Sequence, residues 1–234
     1  MPDTSTGDLF ANDRDAAPNV RALCVELIKW EGCRREMYAG PRGGVRTGIA
    51  HPLVDADAAL ALPWIHRSTG RRATPPEIRI AFAQARAQSL GHPAPAHQRA
   101  SDLVLPAGFA GDLAAARIDK FILPGLRLLC AGFDRYPLAA RRALVDMAWT
   151  LGLRGLAKFH NLIAACRRED FAAAADHCHR RGSHSARNVS TRNLFREAAA
   201  QLASAPSVAA KSGQQRLVSA SFVSKNARLD GGRR

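Results

Sequence analysis

Residues 27–53 read LIKWEGCRREMYAGPRGGVRTGIAHPL, and the interpretation of the whole chain turns on this stretch. Working backward from it, Val20, Leu23, Cys24, Leu27 and Ile28 recur at spacings of three and four. That period predicts a helix over 19–31, with Pro18 and Asn19 as its start signal. The helix delivers one acid, Glu31, at its end, directly before Gly32. Working forward, Gly40, Pro41, Gly43 and Gly44 mark turns, and VRTGIAH has short β-type content. The expectation is a small hairpin or three-stranded sheet laid beside the acid.

The remainder reads as helix. TPPEIRIAFAQARAQSL has Glu77 three residues after Thr74 and two prolines between them. That pattern resembles a capping box opening a helix over 75–90. A long Pro-rich loop follows, and from about residue 110 the pattern is helical throughout. DLAAARIDKFILPGLRLLC is expected to break at Pro124 and Gly125. YPLAARRALVDMAWTLG sets Leu138, Leu144, Val145, Ala148 and Leu151 on one side, with Gly152 as a stop. Residues 1–18 read as a flexible leader, 19–203 as one folded domain and 204–234 as a disordered tail. After residue 204 six basic residues face one acid. The fold class is α+β, mostly helical, with a small N-terminal β-hairpin lobe and a larger helical lobe.

Charge and cysteine usage bound the function. Lys and Arg total 34 against 20 Asp and Glu, a net charge of +14. Only five of the basic residues are lysine. A surplus of this size points to an anionic partner: nucleic acid, an acidic membrane surface or the anionic polymers of a bacterial wall. Nucleic acid is not expected, because no aromatic interleaving and no binding motif accompanies the charge. Five widely spaced cysteines do not form a disulfide framework and suit a reducing compartment. MPDTSTGDLFANDRDAAP has neither a basic start nor an apolar run, so it is not a Sec signal. No stretch reaches the 18 apolar residues of a membrane-spanning helix. In ADHCHRRGSH, neighbouring His177, Cys178 and His179 diverge by about 100° on a helix, so no metal is assigned there. No cofactor is expected.

Glu31 is the candidate for chemistry. Cleaving a glycosidic bond needs a proton donor at the leaving oxygen, and a carboxylate or activated water on the opposite face of the sugar. A glutamate beside apolar helix residues and Trp30 has the setting of such a donor.

Taken together, Glu31, Gly32, Tyr38, Gly43, Gly48 and His51 resemble the N-terminal lobe of phage-type lysozymes, the muramidases of tailed phages and their bacterial relatives. RRALVDMAWTLGLRGLAKFHNLIAACRR is similar to the family's long buried helix and the G-x-x-x-F-x-x-L turn after it, here Gly155, Phe159 and Leu162. RNVSTRNLF is similar to its Arg-rich C-terminal helix. The resemblance covers residues 19–203. It implies a lysozyme-like fold and a peptidoglycan hydrolase in which Glu31 is the general acid and Tyr38, Thr47, His51 and Arg187 contact substrate. It also implies a monomer without metal, made in the cytoplasm and reaching the periplasmic or extracellular wall after release or secretion. Gly40 stands where the family places its catalytic aspartate. Arg46 stands where it has an active-site threonine, with Thr47 one place later, and Ala50 replaces a common glycine. Glu36, Asp55 and Asp57 are the nearby acids from which a replacement for the aspartate is expected to reach across. The competing expectation is a lysozyme-fold protein that holds the wall, or joins a secretion or phage apparatus, without cutting.

Overall fold

The computed structural model describes residues 18–40, 43–88 and 101–204. The leader and the basic tail of the sequence reading lie almost wholly outside those residues. Helix α1 spans Pro18–Glu31 and leads into the strands β1 (Arg34–Ala39), β2 (Val45–Gly48) and β3 (His51–Leu53). These three form one antiparallel sheet in the order β1-β2-β3. A short helix α2 (Ala56–Leu60), strand β4 (Ile65–His66), helix α3 (Pro75–Ala87) and strand β5 (Leu103–Val104) complete a first lobe. β4 pairs with β5 in a second, two-stranded sheet that the sequence did not suggest. The lobe has its own core: Met37 and Val45 from the sheet meet Trp64, Ile78, Phe82 and Leu105. Helix α3 opens as expected, with the Glu77 carboxylate accepting from both the Thr74 amide and its hydroxyl.

The second lobe is helical: α4 (Phe109–Arg117), α5 (Leu123–Leu129), α6 (Leu138–Leu156), α7 (His160–Arg167), α8 (Phe171–His177) and α9 (Ser185–Ser204). The molecule is therefore α+β and mostly helical. Helix α6 is central, buried from Ala143 to Trp149 and packed on α1, α5 and α9. Phe133, Met147, Leu162, Phe171 and Phe195 fill the space around it. Helices α1 and α4 join the lobes. Ala110 belongs to the first core while Ala114 and Ala115 belong to the second.

One expected break is absent. Pro124 does not end a helix, because a π-helical turn over Ile118–Ile122 connects α4 directly to α5. The Leu123 amide reaches back five residues to the Ile118 carbonyl. That widened turn accommodates a residue without an N–H, as π-bulges do. Gly125 has a packing role instead: a Cβ there would lie 2.2 Å from Leu153 Cδ1 on α6. Gly152 does interrupt α6, with φ 70°. Among the described residues no helix is long and apolar enough to cross a membrane.

Candidate functional site

A cleft of about 790 Å³ opens between the sheet lobe and the helical body. That volume lies within the range of small-molecule and cofactor sites. Each wall comes from a different element. Helix α1 supplies Trp30 and Glu31, the β2–β3 hairpin supplies Arg46, Ala50 and Pro52, and Arg117 comes from the end of α4. The far side is Trp149 to Gly152 of α6, with His184 and Arg187 at the start of α9.

Glu31 reaches the cleft because α1 stops there. Gly32 takes φ 67°, a left-handed cap, and its amide bonds the Ile28 carbonyl. A glutamate at a helix C-terminus opposes the helix dipole, at a cost of about 0.3–1 kcal/mol. Arg187 offsets that cost: its Nη1 donates to Glu31 Oε1 at 2.6 Å. The Glu31 side chain retains 18% exposure.

Arg187 is itself held from behind. Its Nε and Nη2 both donate to Asp146 Oδ1, at 2.9 and 2.6 Å. Burial alone would lower the Arg187 guanidinium, but its bonds to Asp146 and Glu31 raise it above the usual arginine value. The second oxygen of Asp146 pairs with Arg180 at 2.8 Å and accepts from Thr191 Oγ1 at 3.1 Å. Arg180 is 1% exposed and also bonds Thr150 and Asn188. A buried chain of alternating charge therefore runs Arg180, Asp146, Arg187, Glu31 and ends at the cleft. Asp146 and Arg180 were missed in the sequence. The only signal for Asp146 is a polar residue on the otherwise apolar face of α6, and Arg180, in the loop after α8, has none.

The other predicted site residues are distributed by strand alternation. Side chains on a strand alternate between faces. Arg46 pairs with Pro52, and both face the cleft, whereas Thr47 pairs with His51 on the opposite face. Thr47 is 0% exposed, and its hydroxyl lies 3.4 Å from the Arg35 carbonyl. It cannot contact a ligand, which corrects the expectation for this residue. His51 also stays out of the cleft lining, although its neighbours Ala50 and Pro52 are in it. Its ring is half-buried with Nδ1 unbonded, and burial with Arg117 nearby pushes its pKa down to about 4. Tyr38 sits beside Arg46 on β1, its ring under Arg34 and its hydroxyl pushed above the usual range by burial. Of the predicted set, Glu31 and Arg187 are brought together at the cleft.

Among the described residues no second carboxylate lines the cleft, since Asp146 lies buried behind Arg187. Glu36 pairs with Arg67 at 3.3 Å, Asp55 caps α2 through the Ala58 amide, and Asp57 pairs with Arg79. None of the three crosses to the cleft. A side chain at position 40 would also meet an occupied space, because a Cβ on Gly40 would be 2.7 Å from Arg46 Nε. Among the described residues the cleft thus holds one acid, three arginines and two tryptophans. Among the described residues no cluster of His, Cys, Asp or Glu is placed to hold a metal ion. No family model matches the chain, and no curated protein matches it in sequence.

Proposed function

We propose that the chain is a lysozyme-type peptidoglycan hydrolase that cleaves the glycan backbone of the bacterial wall, with Glu31 as the general acid. The supporting observation is Glu31 itself, the one carboxylate lining an interlobe cleft among the described residues, pinned by Arg187. Arg187 engages Oε1 and leaves Oε2 for the leaving-group oxygen of a bound sugar. Trp30 offers a flat apolar face against which a sugar ring packs. The nucleophile is then a water or a group of the substrate itself, such as the carbonyl of a 2-acetamido sugar. The protein reaches the wall after release or secretion.

General acid catalysis contributes about 10²–10⁴ in rate. Glu31→Gln should therefore slow the clearing of a cell-wall suspension by at least about 100-fold while leaving the fold intact. Clearing at the wild-type rate by that variant ends the proposal. Arg46 packed over Gly40 favours a second reading, in which the same cleft holds the glycan without cutting it. That reading expects sedimentation with purified peptidoglycan and no release of reducing ends.

A further inference from the structure

The arginine expected from sequence to contact substrate, Arg187, is occupied on both sides by Asp146 and Glu31. The other two cleft arginines are not. Among the described residues neither Arg46 nor Arg117 has a carboxylate within ion-pair distance. Arg46 folds over Gly40 from the sheet side. Arg117 lies on Trp149, with Cζ 4.3 Å from the ring centroid, and is largely buried. The two come from different lobes and meet in one cleft. Burial holds the Arg117 guanidinium below the usual arginine value, the charge of Arg46 lowers it further, and Glu31 offsets only part of this. A half-buried guanidinium facing a second one, with the nearby Glu31 already engaged by Arg187, is an arrangement that an added anion relieves.

We propose that Arg46 and Arg117 form a receptor for an anionic group, a carboxylate or a phosphate, carried on the bound saccharide. This rests on the saccharide reading of the cleft and adds which glycans it selects. Guanidinium forks suit such groups because they donate two parallel hydrogen bonds to carboxylate or phosphate oxygens. The anion sits across from Glu31, at the position where an unmodified cleft would be electropositive. Neutral glycans leave both arginines uncompensated and bind less tightly.

The test titrates full-length protein with three probes, followed by the fluorescence of Trp30 and Trp149. These are a neutral N-acetylglucosamine oligomer, its 6-phosphorylated form, and an alternating oligomer with muramic acid, whose lactyl group carries a carboxylate. At least one acidic oligomer should bind about 10-fold or more tightly than the neutral one, the difference shrinking with added salt. Whichever acidic oligomer is preferred identifies the group. Arg46→Gln and Arg117→Gln should each bring the ratio of acidic to neutral affinity, both measured on the same variant, close to one, while Arg46→Lys retains part of the preference. Thermal melts check that the variants fold. Equal affinity for all three probes overturns the anion receptor while leaving the saccharide cleft standing. Failure of every oligomer to bind overturns both.

Discussion

A side chain at position 40 and the guanidinium of Arg46 compete for one volume, since a Cβ on Gly40 would contact both Nε and Cδ of Arg46. The two departures from the lysozyme pattern are therefore one steric unit. An aspartate introduced alone at position 40 would place its carboxylate against Arg46 and stay engaged there. We expect Gly40→Asp alone to give no gain in release of reducing ends from peptidoglycan. Gly40→Asp with Arg46→Thr should exceed it by about 10-fold or more, equivalent to about 1.4 kcal/mol of transition-state stabilisation. A single variant as fast as the double would separate the two positions. His51 is the other residue whose surroundings decide its chemistry. Its folded pKa of about 4 lies below the ordinary 6.5, so the unfolded chain binds a proton that the folded chain refuses. That contribution to stability is complete above pH 6.5 and is lost as the pH falls toward 4. Denaturant titrations at pH 7 and pH 5 should show wild type losing stability on the order of 1–2 kcal/mol more than His51→Leu.

Among the elements, α4, the π turn and α5 form one continuous helical arm because two residues that usually stop helices are absorbed. The π turn removes the hydrogen bond that Pro124 lacks, and the missing side chain of Gly125 lets α5 approach α6. Gly125→Ala should cost about 1–3 kcal/mol by overpacking against Leu153, read from the urea midpoint. A neutral result would mean that Leu153 swings away freely. The period of three and four exposed α1, and the capping box exposed α3, because both signals are local. Helix α9 is legible in the sequence as a helix, but its buried face is not. Its buried stripe begins with Arg187, Asn188 and Thr191 and only then becomes apolar with Leu194, Phe195 and Ala198. A buried stripe made of polar residues has no hydrophobic period to detect.

For the molecule as a whole, the central polar chain ties α1, α6 and α9 together through the Arg180–Asp146–Arg187–Glu31 series. Removing the middle anion strands two buried guanidiniums. Asp146→Ala should destabilise the protein by about 3–5 kcal/mol. Glu31→Gln should cost under about 1 kcal/mol, because Arg187 keeps Asp146 and the glutamate is partly solvated. Paired thermal and urea denaturation of both variants checks the order. Reversal of that order would mean that the fold leans on the cleft end of the chain and not on its buried centre.

The sequence by itself determined the elements that local chemistry controls: α1 ending at Glu31-Gly32, the turn-rich hairpin, the capped α3 and a helical remainder. It also determined that the acid would lack a partner at position 40, since no fold gives glycine a carboxylate. Tertiary structure alone decided which face of β2 meets the cleft. A one-residue step inverts every side chain on a strand, so Arg46 enters the cleft and Thr47 is buried. It alone also brought Arg117 and Asp146 to Glu31, across sequence separations at which nothing in the chain's periodicity signals contact.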